Sequence, residues 1–346
     1  MSTYKEINGQ KVQVLASDPP APYTGQVWYN SSTNLLRARR GAVVSAWSTG
    51  GNMTTGRNGG GASTFGTPTA TIAFAGHTTP GPGAYVSATE SYNGSWTTLP
   101  YSLGALSYHA GGAGTSTSAL KFGGINYTPT TPDPGYQNTT QVWSGSGWTS
   151  GPTMANKSAS AGSAGNSNTS ALAIGGSPDS SPSNETRCQI YNGAWTFGNN
   201  KNTNTRGSMA GGTATSAINA GGYDQPSPTS PQYKAYTESF NGTTWTSVAD
   251  LNQGRANAAG CGASNTATIV MGGGGGGAGG GLATESWNGS AWTVRAVLPA
   301  EVQRNMASGN GSTNALSFGS NSGPTIASTN EFVVSDVIQT NTIPTS

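Results

Sequence analysis

The chain has 346 residues, a net charge of +2, only 8% charged residues and 53 glycines. So weak a charge gives no long-range field to gather nucleic acid or an anionic membrane surface. No apolar run approaches the ~20 residues of a membrane helix, and the opening Met1–Glu6 has no signal-peptide character, so neither membrane insertion nor a leader is expected.

The first 42 residues stand apart from the rest of the chain. Ser17-Asp18-Pro19-Pro20-Ala21-Pro22 reads as a stiff, extended linker. Gly25 to Arg37 reads as a small hairpin with a polar tip at Ser31-Ser32-Thr33-Asn34.

From residue 43 to 334 a pattern repeats. Trp47, Trp96, Trp148, Trp195, Trp245 and Trp292 are separated by 49, 52, 47, 50 and 47 residues. In each period an apolar run ends in a pair of small residues, as in Leu120-Lys121-Phe122-Gly123-Gly124 and Ile218-Asn219-Ala220-Gly221-Gly222. Glycines there permit positive φ or the close approach of a neighbouring sheet. A variable stretch follows, then a strand ending in an aromatic, such as Thr89-Glu90-Ser91-Tyr92 or Thr284-Glu285-Ser286-Trp287. A turn such as Asn93-Gly94 or Asn241-Gly242 leads directly to the Trp. Asn-Gly is a strong two-residue hairpin signal because a type I′ turn needs positive φ twice. High glycine with low charge also suits disorder, but disordered tracts have no period of apolar strands.

This period, with its double glycine, spaced aromatic and Trp, resembles the kelch repeat of β-propellers. The gap from Tyr92 to Trp96 is shorter than in kelch repeats, so the resemblance is kelch-like. It implies an all-β, six-bladed propeller over residues 43–334, followed by a tail, 335–346. The sixth glycine-ended strand is followed by Thr329-Asn330-Glu331-Phe332 but by no Trp. The expected remedy is closure: Val43–Trp47 completes the last blade, which leaves no open strand edge. The Gly25-Gln26-Val27-Trp28-Tyr29-Asn30 segment is similar to segments of bacteriophage tail and fibre proteins. Combined with the Gly/Ser/Thr/Asn-rich repeats, the chain looks like virion proteins of marine phages. That resemblance implies a virion location, with residues 1–42 docking to other virion proteins; the bland alternative is that this segment merely packs on the propeller. A surface with few ion pairs also leaves little for high ionic strength to screen.

Two faces follow from such a fold. The Asn-Gly turns are uniform, whereas the stretches between second and third strands vary and carry Tyr, Pro and Asp. Variable loops on a rigid scaffold are where recognition usually sits. Tyr85, Tyr127, Tyr136, Tyr223, Tyr233, Tyr236 and His77 are the expected contacts for a host-surface glycan or protein, since Tyr gives flat amphipathic area at low entropy cost. Individually, each could instead cover a blade edge. A basic residue recurs 9–12 positions after most Trps: Arg57, Lys157, Arg206, Arg255 and Arg304. Arg57, Arg206 and Arg255 share repeats with Glu90, Glu238 and Glu285, whereas Gln141 and Gln189 stand where the Arg is missing. Buried Arg–Glu pairing is the expected reason; the rival is a cationic mouth to the channel.

Catalytic constellations are sparse. The Ser-x-Asp-x-Gly-x-x-Trp boxes of six-bladed sialidases are missing. Two histidines, His77 and His109, cannot form a three-His metal site. Asp133, Asp179, Glu185 and Asp224 are scattered and suggest no paired-carboxylate site. The run Gly272–Gly277 lacks the Lys-Ser/Thr of a phosphate loop. Cys188 and Cys261 occupy different repeat positions and read as buried thiols. The expected protein is therefore a non-enzymatic virion structural or adhesion component without cofactor, compatible with a homo-oligomer. The alternatives are a glycan-processing enzyme or an intracellular kelch-type scaffold.

Overall fold

The structure is a computed structural model and describes residues 12–23, 25–78, 84–126, 135–178, 186–224, 232–275, 280–321 and 326–343. The chain divides into two compact units, residues 46–333 and residues 1–45 with 334–346. Strands dominate both. Among the described residues the sole helix is the single 3-10 turn Gly280–Leu282, so none could cross a membrane.

In the larger unit, five antiparallel four-stranded sheets follow one another. The second, for example, runs Gly111–Thr115, Ser118–Phe122, Thr140–Trp143 and Trp148–Gly151, each strand pairing with the next. The others begin at Gly61, Gly162, Met209 and Ala259 and end on the strands opened by Trp96, Trp195, Trp245 and Trp292. A sixth sheet starts with Met306–Ser308 and Asn314–Phe318, continues with Thr329–Ile343 and has Leu35–Thr49 as its next strand. There the Trp47 ring lies 5.1 Å from that of Phe332, and the Gly50 N–H donates to the Thr329 carbonyl at 2.9 Å.

The first strands are built almost wholly of Gly, Ala and Ser, as in Gly111-Gly112-Ala113-Gly114 and Ala259-Gly260-Cys261-Gly262. Glycines in them have no room for a side chain: a Cβ on Gly112 would meet the Ala62 carbonyl at 2.5 Å. The outer strands carry the large groups instead. Each Trp that opens a fourth strand packs against the aromatic ending the third, with centroids 4.7–5.4 Å apart in Tyr92–Trp96, Trp143–Trp148, Tyr191–Trp195, Phe240–Trp245 and Trp287–Trp292. Aromatic pairs at such distances gain roughly 0.5–1.5 kcal/mol beyond the area they bury.

One closed circuit of hydrogen bonds and two incomplete series run from sheet to sheet. In the first, the N–H of His109 donates to Gly59 O, Ser160 to His109, Gly207 to Ser160, Asn257 to Gly207, Arg304 to Asn257 and Gly59 to Arg304, at 2.7–3.1 Å. All six residues hold φ between +52° and +62°. In the second, each tryptophan's indole N–H reaches the threonine opening the third strand of the preceding sheet. Trp47 donates to Thr284, Trp96 to Thr329, Trp148 to Thr89, Trp195 to Thr140 and Trp292 to Thr237. At the sixth position Cys188 replaces threonine, and the buried Trp245 Nε1 makes no hydrogen bond. In the third, the last residue of the glycine pair donates its N–H to the linker of the following sheet: Gly76 to Ser107, Gly124 to Ser158, Gly222 to Arg255, Gly273 to Val302 and Ser320 to Arg57. The residue just before that bond is left-handed, Ala75 in the first sheet with φ +58° and glycine in the others, and a Cβ on Gly123 would stand 2.2 Å from the Ser158 carbonyl.

The smaller unit contains the hairpin expected from Gly25 to Arg37. Val27–Asn30 pairs antiparallel with the start of Leu35–Thr49, Asn30 opposite Leu35, and Gln13–Leu15 runs parallel to Val27–Asn30. Asp18, placed in the proline-rich linker, organises it. Its carboxylate accepts from Asn30 Nδ2 at 2.8 Å and from Trp28 Nε1 at 3.0 Å, and pairs with Arg37 at 3.1 Å. The Asn30 and Trp28 bonds, with Arg37, hold the Asp18 carboxyl below its ordinary range.

Candidate functional site

The variable stretches extend some second and third strands as short ribbons. His77 bridges Tyr85, Ile125–Asn126 pairs with Gly135–Tyr136, and Tyr223–Asp224 pairs with Gln232–Tyr233. These ribbons stand at the same end of their sheets as the six-residue belt from Gly59 to Arg304. Near the belt they bound a cavity of about 250 Å³, lined by Tyr108, His109, Tyr136, Arg206, Tyr223 and Arg304 together with Ile125, Ala159, Ser160 and Ser177.

Both arginines of the cup stack on tyrosines. The Arg206 guanidinium carbon is 4.7 Å from the centre of the Tyr223 ring, and that of Arg304 is 5.6 Å from the centre of Tyr108. Arg304 Nη1 also donates to the Tyr108 hydroxyl. Tyr108 in turn lies flat on the belt at Gly59, where a Cβ would approach its ring to 2.4 Å. The His109 ring lies 3.8 Å from that of Tyr108, the two planes inclined by 50°. Burial, Arg304 and Arg206, in that order, push its pKa down to about 3, so the imidazole is neutral. Among the described lining residues there is no carboxylate. The cup therefore sets tyrosine rings and a neutral imidazole beside the Arg304 guanidinium.

The expected contacts divide. Tyr136, Tyr223, Arg206 and Arg304 line the cup. His77 and Tyr85 form the next layer, the His77 ring 5.4 Å from Tyr85 and 5.6 Å from Tyr108. Tyr233, 39% exposed, lies 6.5 Å from Tyr223, while Tyr236, 43% exposed, sits under the Lys234 ammonium at 5.7 Å and outside the cup. Tyr127 lies outside the described residues, as do Asp133, Asp179, Glu185 and the end of the glycine run. The sequence pattern placed Tyr108 and His109 at the basic position of the second repeat but gave no reason to choose them; their only signal is that they replace the arginine.

Arg57 and Arg255 belong elsewhere. Both are fully buried and paired with Glu90 and Glu285, as expected from their co-occurrence. Burial lowers each arginine's pKa while the facing glutamate opposes it. The third expected pair does not form. Glu238 accepts from the backbone N–H groups of Asn202 and Thr203 at 2.7 and 2.9 Å, whereas Arg206 is in the cup. The reason is register. Arg57 and Arg255 stand two residues before their belt residues Gly59 and Asn257, but Arg206 stands one before Gly207, and Arg304 is itself the belt residue. Successive residues of an extended chain point to opposite sides, so the one-residue offset turns Arg206 the other way, whereas Arg304 is directed by the left-handed backbone of the belt itself, with φ +52°.

The carboxylate position has a second duty in every sheet where it is acid or Gln. Glu90 binds the N–H of Thr54 and Thr55, Gln141 that of Ala105, Gln189 that of Asn156 and Glu285 that of Asn252. It thus fixes the crossing from the preceding sheet. In the fourth sheet the buried cation comes from Lys201, whose Nζ reaches Thr205 at 2.6 Å and Asn219 at 3.3 Å. Burial, opposed by Glu238 and Cys188, lowers its pKa to about 8. In the second sheet Lys121 is wholly buried against Gln137 and Thr139, and burial lowers it to about 7.

Cys188 and Cys261 are free and buried, and burial raises the Cys188 thiol to about 11. Among the described residues no three His, Cys, Asp or Glu side chains cluster as metal ligands would.

No protein-family model and no curated protein sequence matches the chain. Its fold does have solved counterparts: the structure titled "Structure of YjhT" superposes with a TM-score of 0.63 at 12% identity, over 83% of this chain and 99% of that one. At that identity the likeness is one of fold alone.

Proposed function

We propose that residues 46–333 form a closed six-bladed, kelch-like β-propeller, and that the chain is a virion structural or adhesion component whose ribbon-bearing face recognises a cell-surface glycan or protein. The ring reading is supported by the hydrogen-bond circuit from Gly59 to Arg304, which returns to its start, by two further series that link most neighbouring sheets, and by the glycine-rich first strands, whose close backbone approach suits strands converging on an axis. The recognition reading rests on one observation: aromatic and basic side chains collect at the belt end, while the opposite ends of the sheets carry uniform Asn-Gly or Ser-Gly turns. The virion reading rests on the Gly25–Asn30 segment, which we assign to docking with other virion proteins.

A glycan and protein array probed with the full chain is expected to give saturable hits, and product analysis of those hits is expected to show no cleavage. Cleavage would favour the glycan-processing reading. Tyr136→Ala combined with Tyr233→Ala is expected to reduce adsorption of particles to cells; unchanged adsorption counts against the recognition face. Deleting residues 1–34 is expected to prevent incorporation into particles, and continued incorporation removes the docking role.

A further inference from the structure

Among the cavities, buried amines, free thiols and exposed apolar residues of the molecule, the cup at the belt combines a built cavity with a matched set of chemistries. Its volume of about 250 Å³ is below the roughly 300–1,000 Å³ of pockets that enclose drug-sized ligands, so its occupant is a single small unit. Arg304 is anchored at both ends of its reach, by the belt at its backbone and by Tyr108 at its guanidinium. A guanidinium so held loses little rotamer freedom on meeting an anion, and its planar fork suits a carboxylate in particular. Neutral His109 can offer a hydrogen bond without adding a third charge. The Tyr136 and Tyr223 rings supply flat apolar faces, and Ser160 a hydroxyl, all in the same wall.

We propose that this cup binds one carboxylate-bearing sugar unit, its carboxylate held by Arg304 and its ring seated among Tyr108, Tyr136 and Tyr223. The inference names the ligand class of the recognition face and so rests on that reading.

The test is calorimetric titration of the full chain with galacturonate, its methyl ester, galactose and acetate. Galacturonate is expected to saturate the protein and to bind at least roughly tenfold more tightly than the ester, galactose or acetate, the scale of one charge-assisted hydrogen bond. Equal binding of the ester or galactose overturns the role of charge. Equal binding of acetate overturns the role of the sugar, and no saturable binding overturns both. Arg304→Asn keeps a residue type that the belt already accepts at Asn257 with φ +54°, and is expected to weaken galacturonate binding at least roughly tenfold. Unchanged affinity sinks the assignment. Should that variant fail to fold, Arg206→Gln serves as the second variant, with a loss of severalfold expected and no loss counting against the proposal. Particle adsorption separates the two levels. Adsorption unaffected by Arg304→Asn, with galacturonate affinity lost, leaves the cup standing and removes its part in recognition. Adsorption impaired by the paired tyrosine variants, with no galacturonate binding, removes the cup's ligand and keeps the face.

Discussion

Arg57 and Arg255 are buried ties inside their sheets, whereas Arg206 and Arg304 face a cavity at the belt, although all four follow a tryptophan by similar distances in the sequence. What separates them is an offset of one or two residues from the belt. For Arg206 this is a one-residue shift in an extended segment, and for Arg304 it is the left-handed backbone of the belt. Each exchanges the interior of a sheet, where a guanidinium must meet a carboxylate, for the open side, where it can lie on a tyrosine. The same residue type thus performs a structural task in one repeat and lines a candidate binding site in another. The interior position still attracts a cation when arginine is shifted away: Lys201 enters it from the crossing before the fourth sheet.

The contrast can be broken most severely at the buried pair. Arg57→Met leaves Glu90 buried without its cation and is expected to cost about 3–5 kcal/mol in urea unfolding, with part of that recovered in Arg57→Met combined with Glu90→Leu. The recovery is partial because Glu90 also binds the N–H groups of Thr54 and Thr55. A smaller effect is expected from His109 in acid. Its pKa falls from 6.5 to about 3 on folding, so between these values the unfolded chain binds a proton that the folded one refuses. Stability is therefore full above about pH 6.5 and declines as pH drops toward 3. His109→Gln is expected to flatten that decline in thermal melts from pH 7 to 4, and an unchanged slope refutes the neutral, desolvated imidazole.

Cys188→Thr is expected to stabilise the fold by about 1 kcal/mol by giving the Trp245 indole the acceptor that the other five tryptophans have. Thr140→Val, which removes the acceptor of Trp195, serves as its mirror image and is expected to cost about the same. A smaller change in stability than at the buried pair is expected at the cup: Arg206→Gln is predicted to cost about 0.5–1 kcal/mol, the scale of its contact with the Tyr223 ring. A loss comparable to that of Arg57→Met would show the two arginine classes to be one.

Much of the architecture was legible in the chain. The tryptophan period, the glycine pairs and the Asn-Gly dipeptides marked the order and pairing of strands in each sheet. The expected two-residue type I′ turn does not form, however: the loops from Tyr92 to Trp96 and from Phe240 to Trp245 are longer, and Gly94 and Gly242 hold positive φ while Asn93 and Asn241 do not. The repeated Thr-Glu-Ser motif was visible too, but its purpose was not: Thr89 serves Trp148 and Glu90 serves Thr54, partners in neighbouring repeats on opposite sides. The hairpin from Gly25 was legible, while its anchor on Asp18 was hidden within an apparently plain linker.

The sequence by itself determined the periodic strands, the places of the hairpin turns and the glycines that permit close contact, since these depend on residue type and spacing along the chain. The tertiary structure alone decided which arginines are buried, that Tyr108 and His109 join Arg206 and Arg304, and that six left-handed residues bond in a circuit. Those outcomes depend on where each strand stops relative to its neighbours, and a shift of one residue there reverses the direction in which a side chain points.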